Sequence, residues 1–218
     1  MRLAEADVVV VGSGAAGGVV TEYLSRHGVR VVCLEQGRWL TTGDYPSSGI
    51  DYEAVARRSR FSFSPNERRA PEDYPVISGG QDPPEIEMVN AVGGTTIHWN
   101  CEVMRLHPWD FRPRGQGSAR RWPLSYEELR AHYDAYDIQL GVSGIADDPL
   151  APSRSPHRLP PLPLGSVGQV AGRAFNRLGW HWWPTDLAIL SQPHQGRPGC
   201  DLEGRGWYGC GIAAKAPS

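Results

Sequence analysis

The chain has 218 residues, a hydrophobic content of 40% and a formal net charge of −2, values that are ordinary for a globular protein. This charge gives no sign of a nucleic-acid partner or an anionic membrane surface, and no apolar run is long enough to span a bilayer. No signal-peptide pattern precedes the first predicted strand, so we expect a cytoplasmic protein.

The N-terminal stretch reads as a strand, a glycine-rich turn, a helix and a second strand. Val8 to Val11 form a continuous β-branched run, which is typical of a strand buried on both faces of a parallel sheet. The run leads into Gly12 to Gly17, a G-x-G-x-x-G turn, and then into a helical stretch that ends near Gly28, a residue suited to a left-handed cap. Val29 to Leu34 is predicted to be the second strand, and Glu35 stands at its carboxyl end.

Each residue of this pattern has a known role in binding a dinucleotide. Gly12 permits the tight turn, Gly14 lets backbone N–H groups approach a pyrophosphate, and Gly17 lets the helix pack closely on the strand. The N–H groups at the start of the helix then attract the phosphates. Glu35 stands where a carboxylate accepts a hydrogen bond from a ribose hydroxyl, and its charge would repel a 2′-phosphate. The pattern therefore predicts FAD or NAD rather than NADP, whereas an ordinary glycine-rich turn would leave Glu35 unexplained.

A second glycine-rich stretch follows an irregular region that begins after Gly37. Tyr52 to Arg60 is predicted to be a short helix, and Met88 to Val92 a short strand. Gly93 and Gly94 then permit close approach of the backbone to a ligand. The residues directly after them supply hydroxyl, imidazole, indole and amide groups in a tight cluster: Thr95, Thr96, His98, Trp99 and Asn100.

The first helix of the second half has clear start and stop signals. Ser125 and Glu128 form a capping box, the apolar spacing continues to Leu140, and Gly141 ends the pattern. The proline-rich stretch over residues 147–165 is then expected to be extended, as a linker or a strap across the surface.

A second capping box predicts another helix. Ser166 and Gln169 open it, amphipathic spacing continues to Leu178, and Gly179 follows. Trp180 to Pro184 come next, and their aromatic character favours a buried strand.

Taken in this order, the elements resemble the glucose–methanol–choline (GMC) oxidoreductase family of FAD enzymes. The family's FAD-binding start is matched by VVVVGSGAAGGVV and VVCLEQG, and its flavin loop by AVGGTTIHWN. Its bacterial sugar- and polyol-dehydrogenase branch, near the pyranose oxidases, is matched by WPLSYEELRAHYDAYDIQLGVSG, LGWHWWPTDLAI and CDLEGRGWYGCGIAAKAPS.

The resemblance implies an α/β fold of the Rossmann-like FAD-binding type. Residues 1–146 would form the FAD-binding region with its flavin loop at 87–105, and residues 147–218 a proline-rich strap and the start of a substrate region. The family's fold is completed by segments that would lie beyond Ser218, so the chain is expected to be incomplete at its C-terminus.

The resemblance further implies FAD-dependent oxidation of an alcohol, sugar or polyol, with hydride transfer from the carbinol to flavin N5. His98 matches a histidine that pyranose oxidase and choline oxidase join covalently to the flavin, so it either bonds the ring or only packs beside it. Asn100 falls where relatives place a polar group near N5. The predicted cofactor-binding residues are Gly12, Gly14, Ala15, Ala16, Gly17, Glu35, Gln36, Gly93, Gly94, Thr95, His98 and Asn100.

The family's acid–base pair, a histidine with a second histidine or an asparagine, is not matched in this chain, so no catalytic base is predicted. Three functions remain open: the FAD-binding part of an oxidoreductase, a non-catalytic FAD-binding subunit, and an NAD-dependent dehydrogenase. The second glycine-rich loop argues against the last, because a simple NAD fold has no need of it. The expected partners are a small alcohol or sugar substrate and either a complementing C-terminal chain or an electron-acceptor subunit.

The cysteine pattern predicts no metal. Cys200 and Cys210 stand without the further thiolates that an iron–sulfur cluster needs, and no histidine stands at zinc-ligand spacing from them. They remain candidates for a disulfide or for two thiols.

Overall fold

The computed structural model describes residues 5–45, 51, 89–112, 122–152, 158–204, 206 and 209–216. The chain divides into two compact units. The first comprises Met1–Trp99, Glu203–Ala213 and Pro217–Ser218, and the second comprises Asn100–Leu202 and Ala214–Ala216. The boundary predicted between 146 and 147 lies inside the second unit, and the short helix predicted over 52–60 lies outside the described residues.

The first unit contains the predicted strand–helix–strand element. Strand β1 is Val8–Val11, helix α1 is Ala15–Arg26, and strand β2 is Val31–Leu34. The two strands pair in parallel, with Val8 opposite Val31. Gly28 adopts the expected left-handed conformation, with φ of 79°.

The predicted burial of β1 on both faces is wrong. Val9 is 56% exposed and Val11 is 84% exposed, whereas Val8 and Val10 are half-buried. Side chains alternate between the faces of a strand, so Val9 and Val11 share one face of β1 and Val8 and Val10 share the other. One face of β1 therefore stays open to solvent.

Beyond β2, a small apolar core holds the second glycine-rich region. Leu40, Ala91 and Ile97 are buried together, and Tyr45 and Val89 pack against them. The predicted strand 88–92 is reduced to a single parallel bridge between Ala91 and Arg38, and Met88 itself lies outside the described residues. Two 3-10 helices, Thr42–Asp44 and Gly94–Ile97, flank this core.

The described residues of the second unit form two α-helices, of which the first begins as predicted. Helix α2 is Tyr126–Leu140; the Ser125 hydroxyl accepts from the Glu128 N–H, and the Glu128 carboxylate accepts from the Ser125 N–H. Gly141 ends it with φ of 73°.

Helix α3 is Ser166–Leu178, and Gly179 ends it with φ of 68°. The predicted capping box is wrong, because Gly165 is the N-cap and no side chain caps the helix. Gln169 instead donates from Nε2 to the carbonyl of Leu164, 3.1 Å away.

The strand predicted over 180–184 is also wrong, because these residues form an extended segment without sheet partners among the described residues. Trp182 packs its indole ring over Gly172 of α3 and donates from Nε1 to Asn176 Oδ1 at 2.8 Å. Trp180 is 61% exposed and Trp183 is 36% exposed. Trp180 also stacks on Phe175 of α3, with ring centroids 5.8 Å apart, so this aromatic run packs against a helix and not within a sheet.

The interior of the second unit contains a network of ion pairs. Arg105 Nη2 lies 2.5 Å from Asp137 Oδ2, and Arg158 bonds both Asp137 Oδ2 at 2.7 Å and Asp186 Oδ1 at 2.6 Å. Burial alone would lower the pKa of Arg105, but its hydrogen bonds, including those to Asp134 and Asp137, raise that pKa overall. The guanidinium therefore stays charged in the interior.

All four cysteines carry thiols, and none of them forms a disulfide. The described residues contain no group of three or more metal-binding side chains arranged around a common point. None of the helices in the described parts of the chain combines the length and apolarity that a membrane crossing needs.

Candidate functional site

The turn after β1 has the backbone geometry that its glycines predict. Gly12 adopts φ of 89°, and its N–H donates to the carbonyl of Leu34 at 2.8 Å, which extends the pairing of the strands. A Cβ added at Gly17 would lie 1.9 Å from the Gly12 carbonyl oxygen and 3.3 Å from Val10 Cγ1. Helix α1 therefore packs on the turn at a distance that only glycine permits.

The start of α1 is open and has no side-chain cap. Gly14 is the N-cap residue, and a Cβ added there would meet nothing within 4 Å. The first turn, which includes Ala15 and Ala16, contains no acidic residue. The first N–H groups of a helix lack intrahelical partners and carry the positive end of its dipole. This end of the helix is therefore suited to an anion such as a pyrophosphate.

Glu35 lies directly beside this turn, and protein groups hold its carboxylate in place. Oε2 accepts from the N–H and the hydroxyl of Ser13, both at 2.8 Å, and Oε1 accepts from the N–H of Gly37 at 2.8 Å. Burial raises the pKa of Glu35, but the hydrogen bonds from Gly37, Ser13 and the Gln36 N–H outweigh it, so the pKa lies below its ordinary value. The carboxylate is thus charged and fixed in place, and its contact with a ribose remains a prediction.

Ser13, to which the sequence analysis gave no role, connects the two glycine-rich loops. Its Oγ donates to Glu35 and accepts from the N–H of Gly93 at 3.1 Å, across 80 positions of sequence. The only local signal was a polar residue between the first two glycines of the turn. The bond brings the turn after β1 and the loop at Gly93 into direct contact within the first unit.

Gly37 is a second residue that the sequence analysis missed. A Cβ added there would lie 2.3 Å from the Ala91 backbone nitrogen, so only glycine lets the two chain segments approach. Next to it, the Val92 N–H donates to the Arg38 carbonyl at 3.0 Å. Gly37 therefore fixes the second loop beside the end of β2.

The second loop forms a tight, glycine-dependent turn. Gly93 has φ of 93° and Gly94 has φ of 57°, and a Cβ added at Gly94 would meet nothing within 4 Å. Thr95 is exposed, whereas His98 is 8% exposed and its N–H donates to the Thr95 carbonyl at 2.9 Å. Within this loop, Thr95 is therefore accessible to a ligand, whereas His98 is buried.

The predicted site residues fall in both units. Eleven of the twelve lie in the first unit, where the hydrogen bonds of Ser13 and Glu35 connect the two loops. Asn100 is the exposed first residue of the second unit, so its role near a flavin stays a prediction.

Comparison with known proteins identifies the cofactor. Residues 5–50 match a family model described as an FAD binding domain. The open start of α1, without a side-chain cap or an acidic residue, fits the pyrophosphate of that cofactor. The cofactor of this chain is therefore FAD.

Similar proteins extend the match to most of the chain. A 2-methyl-1,2-propanediol dehydrogenase from Mycolicibacterium austroafricanum is 41% identical over 88% of this chain and 35% of its own length. A fructose dehydrogenase large subunit from Gluconobacter japonicus is 28% identical over 89% of this chain and 38% of its own length. An uncharacterized GMC-type oxidoreductase from Mycobacterium tuberculosis is 29% identical over 95% of this chain and 27% of its own length. The chain thus spans about a third of the length of the curated relatives that it matches.

Proposed function

This chain is related to the GMC-type oxidoreductases, and on that premise we propose that it holds FAD in an enzyme that oxidises the CH–OH group of an alcohol, sugar or polyol. When bound, FAD supplies the ring that accepts a hydride from the substrate carbinol. The residues of this chain bind and orient that cofactor. We assign no acid–base residue within it.

At the adenine end, the first glycine-rich turn carries the binding. The N–H groups of Ala15 and Ala16, at the open start of α1, would hold the pyrophosphate, and Gly14 would leave room for the phosphate oxygens. Glu35 would accept a hydrogen bond from a ribose hydroxyl, and the hydrogen bonds that Ser13 donates hold its carboxylate in place.

At the flavin end, the backbone of Gly94 and Thr95 would hold the ring. The resemblance assigns to Asn100 a hydrogen bond near N5, which would stabilise the reduced flavin. Because His98 is 8% exposed and its N–H bonds the Thr95 carbonyl, we infer that it stabilises the loop without bonding the ring covalently.

One observation carries the proposal: Ser13 joins Glu35 to the N–H of Gly93. A bound FAD must contact a pyrophosphate-binding turn and a flavin-binding loop at once, and this serine places the two loops side by side. The relatives named as a 2-methyl-1,2-propanediol dehydrogenase and a fructose dehydrogenase large subunit support the substrate class. The name of the fructose dehydrogenase large subunit also supports a multi-subunit assembly, with a complementing chain or an electron-acceptor subunit.

FAD titration of this chain and of two matched variants tests the binding. Gly14 and Gly165 are both N-cap glycines with φ of −64°, and a Cβ at either meets nothing within 4 Å. Gly14→Ala and Gly165→Ala should therefore have similar, small effects on folding. We expect Gly14→Ala to weaken FAD binding at least about tenfold, because its methyl group occupies the approach of the pyrophosphate. Equal FAD affinities for the two variants, or no FAD binding by the parent chain, would contradict the proposal.

Denaturation in acid followed by mass measurement tests the role of His98. We expect FAD to leave the protein and the chain to return to its unmodified mass. A protein mass that stays raised by one FAD, and that returns to normal in His98→Ala, would instead show a covalent bond.

Oxidation is tested by mixing the FAD-loaded protein, as its gene encodes it, with 2-methyl-1,2-propanediol or fructose in the absence of oxygen. The proposal predicts that an alcohol or sugar bleaches the flavin absorbance. If FAD binds but no alcohol or sugar of a tested panel bleaches it, the oxidation is contradicted and the chain is a non-catalytic FAD-binding subunit.

A further inference from the structure

The extended segment after α3 presents two rings to solvent on one side. Successive side chains of an extended chain point in opposite directions, and Trp182 packs toward α3. His181 and Trp183 lie on the other side, with ring centroids 5.3 Å apart and planes tilted by 38°. Both remain accessible, at 40% exposure for the His181 side chain and 36% for Trp183.

Asp148 holds the imidazole of His181 through a hydrogen bond at Nε2. Its Oδ2 lies 2.8 Å from His181 Nε2, while its Oδ1 accepts from the Leu150 N–H at 2.8 Å. The Asp148 side chain is 4% exposed. Burial raises its pKa, but the hydrogen bonds from Leu150 and His181 outweigh burial and lower it overall. A buried, charged carboxylate therefore sets the orientation of an exposed imidazole.

This arrangement leaves Nδ1 of His181 for another molecule. With Nε2 engaged by Asp148, Nδ1 accepts a hydrogen bond when the ring is neutral and donates one when it is protonated. A hydroxyl group both donates and accepts, so it matches Nδ1 in either state. An anion is disfavoured because Asp147 and Asp148 are adjacent carboxylates.

We propose that Asp148, His181 and Trp183 form a binding site for a sugar or cyclic polyol. One hydroxyl of the ligand bonds His181 Nδ1, and the apolar C–H face of the ligand ring lies against the Trp183 indole. Asp148 acts as a positioning residue that holds the imidazole.

The site is independent of the FAD loops. Its residues all belong to the second unit, and it requires no flavin. It therefore goes beyond the proposed function, and either proposal can fail without the other.

The chain offers a matched control. His107 and Trp109 also form a histidine–tryptophan pair, with ring centroids 4.0 Å apart; His107 is half-buried and Trp109 is 63% exposed. Here the carboxylate of Asp110 accepts from the backbone N–H of His107 at 2.7 Å. Within the described residues, no ion pair joins the His107 ring to a carboxylate. The His107–Trp109 pair therefore offers an aromatic surface like that of the proposed site, but no carboxylate in the described part of the chain orients its imidazole.

Titration of the isotope-labelled 218-residue chain with D-glucose and with D-fructose, without FAD, tests the proposal by nuclear magnetic resonance. We expect saturable shifts of the His181 ring and the Trp183 indole N–H with at least one sugar. His181→Phe and Trp183→Ala should each weaken binding about fivefold to tenfold, as loss of one hydrogen bond or one ring contact implies. Trp109→Ala should bind as the parent chain does.

An unchanged Trp182 indole N–H signal, which reports packing on α3, shows that each variant is folded. The proposal is overturned if neither sugar shifts His181 and Trp183 saturably, or if Trp109→Ala weakens binding as much as Trp183→Ala. Binding of acetate with the same midpoint as the sugars would also overturn it, because the site would then select charge instead of hydroxyl groups.

Discussion

Ser13 connects three parts of the first unit through a single hydroxyl. It donates to Glu35 Oε2 and accepts from the Gly93 N–H, while its own N–H also bonds Glu35. The glycines around it are recognisable from sequence because their roles depend on the local turn. The role of Ser13 depends on a residue 80 positions away, and Gly37 likewise depends on Ala91. Local patterns therefore predicted the backbone of the site and missed the contacts that join its two loops.

Ser13→Ala should destabilise the first unit by about 1–2 kcal/mol, because the Gly93 N–H and the Glu35 carboxylate each lose a partner. Urea unfolding measures the change. Ser25→Ala, at an exposed position of α1, is the control and should change stability by less than about 0.5 kcal/mol. Equal effects of the two substitutions would show that the bridge contributes nothing.

The lowered pKa of Glu35 predicts a pH-dependent contribution to stability. A carboxyl whose folded-state pKa lies below its unfolded value stabilises the fold above the unfolded value, here 4.5, and loses this contribution as the pH falls through the folded-state pKa. The parent chain should therefore exceed Glu35→Gln in thermal stability at about pH 7, and the gap should close toward about pH 3. Melting curves across this range measure the gap. A gap that does not change with pH would contradict this prediction.

At the scale of elements, helix boundaries were predictable where the capping interactions join residues only a few positions apart. The Ser125 box formed as predicted, and glycines with positive φ end both α2 and α3. The box at Ser166 and the strand at 180–184 failed for a different reason. The residue types alone show neither which residue takes the N-cap position nor which side of an aromatic run finds a packing partner. Here the Trp180 and Trp182 side of the run packs on α3, against Phe175 and Gly172.

Two serines at the starts of helices give a matched test of capping. Ser125→Ala should destabilise the second unit by about 1 kcal/mol, because it removes a hydroxyl that accepts from the Glu128 N–H. Ser166→Ala should cost less than about 0.5 kcal/mol, because α3 has no side-chain cap. Thermal unfolding of the two variants compares them directly. A larger loss of stability in Ser166→Ala than in Ser125→Ala would contradict the assignment of Gly165 as the N-cap of α3.

At the scale of the whole molecule, two features could not be read from local patterns. The first unit includes Glu203–Ala213, which returns to it after the second unit. The second unit encloses Arg105, Asp137 and Arg158, which come from three separate stretches of sequence. Charged residues are usually predicted to be on the surface, so only three-dimensional packing reveals a buried network.

The network predicts unequal effects of two neighbouring aspartates. Both Asp137 and Asp134 bond Arg105 Nη2, but their side chains are 4% and 37% exposed. Asp137→Ala should destabilise the second unit by about 3–5 kcal/mol, because it leaves buried guanidinium groups without their carboxylate. Asp134→Ala should cost less than about 1 kcal/mol, as for other solvent-exposed pairs. Denaturant unfolding distinguishes the two, and similar losses would contradict the assignment of Asp137 as the centre of the network.

The central claim is that the turn after β1 and the loop at Gly93 bind one FAD together. Amide hydrogen exchange of this chain with and without FAD tests it most directly, at Ala16 in the start of α1 and at Thr95 in the second loop. The account predicts that FAD slows exchange at both amides, with the same dependence on FAD concentration. Protection at only one of the two amides, or at neither, would contradict it.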